Sequence, residues 1–189
     1  MLVVLRAEQP LQLDERLAAL AAIGVRHVEI AWSIHPAWVE QVMDLRHRHP
    51  GLRLGAASIR STAALQAVAA AGLSYAMAPV LDAGLQQQSQ DLGVELVPGV
   101  FSPSEVHQAL SLGCHAVKLF PAASLGMHHW QRLRDPFGRL PFCIAAGGLT
   151  VAELDGWLQA GVDAVTLGAR VADPAALAQL QAWIGRRQA

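Results

Sequence analysis

One lysine and one glutamate carry the most chemistry in this 189-residue sequence. Lys118 lies in the run AVKLF and Glu29 in HVEIA, each flanked on both sides by aliphatic residues. An ammonium walled by apolar groups loses its hydration, so its pKa falls and the neutral amine becomes a nucleophile able to form a Schiff base with a carbonyl. A carboxyl beside it can shuttle protons through carbinolamine, imine and enamine stages and serve as general acid and base in carbon–carbon cleavage. The competing reading is a buried Lys–Glu ion pair without chemistry, an arrangement that is costly to bury and adds little net stability.

An internal repeat is what brings the two together. A helix end, a glycine and a strand recur as IGVRHVEI at 23–30, AGLSYAMA at 71–78, LGCHAVKL at 112–119 and AGVDAVTL at 160–167. The glycine reads as a helix C-cap, and the spacing of Gly24, Gly72, Gly113 and Gly161 fits two βα units of about 20–25 residues each. Five residues beyond each glycine stand Glu29, Met77, Lys118 and Thr166, which share one face of their strands. In a (β/α)₈ barrel each interior layer takes one side chain from alternate strands, so an inward phase gathers these four in one layer near the C-terminal mouth. The flanking Val28, Ile30, Val117 and Leu119 then form the apolar surface that meets the helices.

Short Val/Ile/Leu-rich runs alternate with helical stretches along the whole chain, the pattern of a buried parallel sheet. The runs predict eight strands: Leu2 to Leu5, His27 to Ala31, Leu52 to Ala56, Tyr75 to Ala78, Glu95 to Val97, Ala116 to Phe120, Phe142 to Ala145 and Ala164 to Leu167. Helix starts are marked at Ser102-Pro103 with Glu105, at Thr150 with Glu153, and at Asp173-Pro174. No linker or charge run divides the sequence, so residues 1–189 are expected to form a single compact α/β TIM barrel with short loops.

Composition narrows the partners. With 14 Lys plus Arg against 15 Asp plus Glu, the net charge of -1 provides no basic field for nucleic acid or an anionic membrane. No apolar run reaches the length of a membrane span, and the N-terminal MLVVL is too short for a signal-peptide core, so a cytoplasmic location is expected. Cys114 and Cys143 each sit in an apolar run and read as buried free thiols rather than a disulfide. His47 and His49 end a helix, and His128 and His129 fall in a loop before Trp130; neither pair has a carboxylate or cysteine partner, so no metal is expected. Trp38, Trp130 and Trp157 read as helix-packing residues, whereas Trp32, just past a strand end, could wall a pocket or pack likewise. Glycine-rich turns at AAGGLT (145–150) and LGAR (167–170) follow the last two strands. They either expose amides to a phosphate or only make tight turns.

The segment LVPGVFSPSEVHQALSLGCHAVKLFPA at 96–122 resembles the core of the 2-keto-3-deoxy-6-phosphogluconate / 4-hydroxy-2-oxoglutarate aldolase family, with its PG after strand 5, its helix start SPSE and its lysine motif KLFPA. Weaker matches are VVLRA at 3–7, VEI at 28–30, LGAAS at 54–58 and AAGGL at 145–149. The resemblance implies a class I, pyruvate-type aldolase with Lys118 as the Schiff-base lysine and Glu29 as general acid/base. It also implies no cofactor, a 2-keto acid substrate and a homotrimer. It places Arg6, Ser58, Pro79 and Phe120 around the substrate, with Gly147, Gly148 and Gly168 presenting amides to its far end. The chain also departs from the pattern: Ser33 stands where the family has an arginine, Ala146 replaces the threonine of TGG, Ala169 replaces a serine, and the family's leading helix has no counterpart, which would open the barrel floor. Two lost hydroxyls would cost on the order of 1–3 kcal/mol of phosphate binding, which favours a phosphate-free or differently shaped aldehyde. A barrel that binds such metabolites without turning them over is the alternative.

Overall fold

The computed structural model describes residues 1–188, without the side chains of Ala169, Ala172 and Gln188. It is a closed ring of parallel strands wrapped by helices. The strands are β1 (Leu2–Leu5), β2 (His27–Ala31), β3 (Arg53–Ala57), β4 (Tyr75–Met77), β5 (Glu95–Val97), β6 (Gly99–Val100), β7 (Ala116–Leu119), β8 (Phe142–Ala146) and β9 (Ala164–Leu167). The helices are α1 (Asp14–Ala22), α2 (Trp38–Arg48), α3 (Thr62–Ala70), α4 (Ala83–Asp91), α5 (Pro103–Ser111), α6 (Ala122–Leu125), α7 (His128–Gln131), α8 (Arg134–Phe137), α9 (Leu154–Gln159) and α10 (Pro174–Gln188).

The expected fifth strand is therefore two short ones. Pro98 has no N–H to give the ladder, so the chain bends there: β5 pairs with β4, while β6 pairs with β7. That bend closes the barrel, because the sheet order runs β5-β4-β3-β2-β1-β9-β8-β7-β6 and its two edge strands are joined through Pro98. The Lys118 N–H donates to the Pro98 carbonyl at 2.8 Å across the seam. Other strand ends differ from expectation by a residue. Leu52 belongs to the turn before β3, where its N–H donates to His49, and β8 runs on to Ala146. Between β7 and β8 the chain forms three one-turn helices, the first followed by Gly126 and the last by Gly138, both at positive φ. His128 and His129 lie in the second piece rather than in a loop.

Helix starts follow their sequence signals. Ser102 and Glu105 form a capping box on α5, and Thr150 and Glu153 form one on the 3₁₀ turn leading into α9. The repeat glycines Gly24, Gly72, Gly113 and Gly161 all take positive φ, as helix-ending residues without a Cβ can. Outward strand residues Val28, Ile30, Val117 and Leu119 join the buried Trp38, Trp130 and Trp157 in the core between sheet and helices. Each such large side chain contributes about 1.5–3 kcal/mol by leaving water. Cys114 and Cys143 are free thiols, and no described helix is long and apolar enough to cross a membrane.

The seam leaves no spare volume. A methyl group on Gly99 would overlap the Pro79 carbonyl, a backbone atom that cannot swing aside. Gly99→Ala is expected to lower stability by about 1–3 kcal/mol, read as a lower urea midpoint at unchanged slope. An unchanged midpoint would show that the seam is slack.

Candidate active site

The strand pairings fix which side chains share a layer. Lys118 on β7 is level with Ile144 on β8, and Ile144 with Ala164 on β9; two residues further along β9 is Thr166. Thr166 is level with Leu2, and Leu2 with His27; two further along β2 is Glu29. Glu29 is level with Gly55, and the β3–β4 pairing leads two residues on to Met77. Met77 is level with Val97, and across the bend Gly99 is level with Lys118 again. Four steps of two residues make the shear of 8 that a closed eight-stranded barrel requires. Lys118, Thr166, Glu29 and Met77 thus form one inward layer in that circular order. Lys118 and Glu29 face each other across the barrel axis, with Thr166 between them on one side and Met77 on the other. All four are buried.

The same pairings place Leu2, Gly55, Val97 and Ile144 in the layer below and Val4, Ala57, Gly99 and Ala146 in the layer above. The lower layer is a plug: Leu2, Val97, Ile144 and Ala164 pack with Met77, and the Tyr75 ring lies against Gly55. The upper layer, toward the C-terminal mouth, is made of smaller side chains than the plug. At the opposite end, where the strands begin, a cavity of about 890 Å³ is lined by residues that include His27, Arg53, Tyr75, Glu95 and Phe142. Neither Lys118 nor Glu29 lines it.

Burial governs the electrostatics of the pair. Loss of water raises Glu29 to about 8, against the smaller downward pull of Lys118 and Arg6. Loss of water lowers Lys118 to about 8, opposed by Glu29 and assisted by Arg6. At neutral pH the carboxyl is thus largely protonated, the reverse of its state in water, while the amine, still mostly ammonium, keeps a far larger neutral fraction than a solvated lysine does. The Lys118 Nζ also lies 4.8 Å from the centre of the Phe120 ring, whose face favours the ammonium form. Neither Glu29 nor Lys118 appears in an ion pair or side-chain hydrogen bond among the described residues, so the two act on each other across a gap.

The other residues singled out by sequence all follow the C-terminal ends of strands, at the mouth. Arg6 comes directly after β1, Ser58 after β3, Phe120 after β7, Gly147 and Gly148 after β8, Gly168 after β9, and Pro79 two residues beyond β4. Ser58 holds a φ of 67°, a left-handed conformation that costs a serine about 1–2 kcal/mol. The Gly147-Gly148 turn has φ of 96° and 82° and packs against the segment after β7, where a Cβ on Gly147 would press on Phe120 and Pro121. The departures read differently. The Ser33 hydroxyl donates to the Glu8 carbonyl at 3.0 Å, tying two mouth loops together. The Ala169 side chain lies outside the described atoms. Trp32 is half-buried, with its covered side packed against the outer core. Two features escaped the sequence reading: Tyr75, whose hydroxyl donates to the Arg53 carbonyl and whose ring fills the space above Gly55, and the position of Thr166 between amine and carboxyl.

Comparison with known proteins agrees with this geometry. A family model described as KDPG and KHG aldolase matches residues 1–183. A 2-dehydro-3-deoxy-phosphogluconate aldolase of Dickeya dadantii is 30% identical over 141 residues, 74% of this chain and 65% of the relative, so the matched stretch spans just under two thirds of that protein. A 2-dehydro-3-deoxy-6-phosphogalactonate aldolase of Escherichia coli is 26% identical over 172 residues, 89% of this chain and 82% of the relative. The structure of KDPG aldolase from Legionella pneumophila, with pyruvate captured as a covalent carbinolamine intermediate, superposes with a TM-score of 0.80 at 24% identity, covering 95% of this chain and 87% of that one. At that identity the likeness is one of fold.

Proposed function

This chain belongs to the KDPG and KHG aldolase family, and from that premise we propose that it is a class I aldolase that cleaves a 2-keto-3-deoxy sugar acid or 4-hydroxy-2-oxo acid to pyruvate and an aldehyde. The observation that carries the reading is the layer in which a buried lysine with lowered pKa faces a buried glutamate with raised pKa. The neutral Lys118 amine attacks the C2 carbonyl; the carbinolamine loses water, taking a proton from the Glu29 carboxyl, and leaves an iminium. The Glu29 carboxylate then takes the proton of the C4 hydroxyl. The C3–C4 bond breaks, its electrons pass into the iminium to form an enamine, and the aldehyde leaves. Protonation at C3 and hydrolysis release pyruvate and restore the amine. Arg6, Ser58 and Phe120 border the pyruvate end, Pro79 the seam side, and Gly147, Gly148 and Gly168 offer amides to the far end.

A homotrimer and a cytoplasmic place in sugar-acid breakdown belong to the same reading. The exposed Ile34, Val80 and Phe101 on mouth loops and the two free thiols support them. The test is borohydride trapping with pyruvate followed by peptide mapping, with an adduct on Lys118 as the expected result. With Ala146 and Ala169 standing where the family pattern has hydroxyl side chains, a phosphate-free substrate is expected to match or exceed its phosphorylated counterpart in kcat/KM. A phosphorylated preference above about a hundredfold, the upper value of two lost hydrogen bonds, would overturn that part. A binding barrel without turnover is the second reading, motivated by Ser33, Ala146 and Ala169. It would be favoured by a thermal shift with pyruvate in the absence of adduct and cleavage.

A further inference from the structure

The layer holds a polar atom that the proposed reaction does not yet use. Thr166 is 4% exposed, and its Oγ1 has no hydrogen-bond partner; Glu29, 2% exposed, has an equally unpartnered Oε1. Burying a hydroxyl without a partner is costly, and valine, of the same shape, would fill this inward position on β9 at no such cost. The hydroxyl also stands at a particular place. In the circular order of the layer, Thr166 lies between Lys118 and Glu29, and the only other neighbour they share is the thioether Met77. The amine and the carboxyl do not touch, so protons passing between them need a carrier, and only the Thr166 side of the layer is polar. Ala146, level with Thr166 on β8 and itself inward, leaves space beside the hydroxyl.

We propose that Thr166 is a positioning residue: its hydroxyl holds one water molecule between the Lys118 amine and the Glu29 carboxyl, and the proton that the amine sheds on attacking the carbonyl leaves through that water. The proposal rests on the Schiff-base reading. When the amine attacks the carbonyl, a carbon–nitrogen bond forms, leaving an extra proton on nitrogen and a negative charge on oxygen. The held water takes the nitrogen's proton as it gives one of its own toward the oxygen, and the neutral carbinolamine results. The Glu29 proton then goes to the leaving hydroxyl, the carbon–oxygen bond breaks, and water departs, leaving an iminium and a carboxylate. Atoms and charge balance without any further reactant. The charged and titratable groups that act on Glu29 are Lys118 from β7, Arg6 from the end of β1 and Tyr75 from β4, and none of them is altered by a change at 166.

The experiment compares wild type, Thr166→Val and Thr166→Ser in the rate of borohydride-trapped adduct formation with pyruvate, across pH and pyruvate concentration. Thr166→Val is expected to form adduct about tenfold or more slowly at saturating pyruvate, with half-saturation changed less than about threefold, and Thr166→Ser to recover most of the rate. Without the held water donating toward the carboxylate, the alkaline limb of the rate profile is expected to move to higher pH. If wild type traps at Lys118 and Thr166→Val keeps the wild-type rate and profile, or if Thr166→Ser fails to recover the rate while folding normally, the proposal is overturned and the Schiff-base reading stands. If wild type traps no pyruvate, both fall.

Discussion

Lys118→Ala is expected to lose all measurable aldol cleavage, a drop of about 10⁴-fold or more, together with the borohydride adduct, while the barrel stays folded. The reason is positional as well as chemical. Every other cation whose exposure is described lies outside the barrel interior or at its rim, and the Arg6 guanidinium cannot serve as an amine nucleophile. The fold should tolerate the change because the lysine is an energetic burden. Burial lowers its pKa from 10.5 to about 8, so the folded state holds this proton less firmly than the unfolded chain does. The linkage sign follows: the penalty is absent above the unfolded value, grows as pH falls from about 10.5 to about 8, and is fully present at neutral pH. Lys118→Met, which refills the volume with an apolar chain, is therefore expected to raise stability at pH 7 by on the order of 1–3 kcal/mol, read from the urea midpoint. Retained cleavage in Lys118→Ala would remove the nucleophile from the proposed mechanism.

Much of this site was legible in the sequence because its periodicities are exact integers. Side chains alternate with period two on a strand, and barrel layers draw on alternate strands, so four repeat glycines were enough to align Glu29, Met77, Lys118 and Thr166 before any contact was known. Less was legible where one residue overrides a pattern. Pro98 divides a strand that Val97 and Gly99 would otherwise continue, and its missing N–H was the only sign. The stretch after β7 carried no helix-start signal, and it folds as three single turns, with Gly126 after the first and Gly138 after the last. Partners were not legible either. Ser33 was visible as a missing arginine, yet its bond to the Glu8 carbonyl depends on two loops distant in sequence. Trp32 sits one residue past a strand end, where a half-turn of backbone decides between pocket and core. Thr166 was placed in the layer by its phase, but a lone hydroxyl on a strand reads as packing until its neighbours on both sides are known.

Glu29→Gln separates the catalytic and structural roles of the carboxyl. The amide keeps the shape and cannot carry a proton, so cleavage is expected to fall about 10²–10⁴-fold, the usual value of a positioned acid–base group. An adduct on Lys118 should still accumulate with pyruvate on long incubation, because amine attack needs no carboxylate at C4. The stability of the variant tests the same physics independently. Burial raises the Glu29 pKa from 4.5 to about 8, so the folded state binds this proton more tightly than the unfolded chain. Below about pH 4.5 the carboxyl is neutral in both states and costs nothing. As pH rises from 4.5 to 8 the unfolded chain ionises first, and wild-type stability declines through that window. Glutamine does not titrate, so the variant should gain on wild type across it, from near parity at pH 4.5 to an advantage on the order of 2–4 kcal/mol at pH 8, measured as paired urea midpoints. A difference that stays flat with pH would mean that Glu29 titrates as an ordinary carboxylate, already ionised at neutral pH. It would then have no proton to give the carbinolamine hydroxyl, and the acid role would have to be assigned elsewhere.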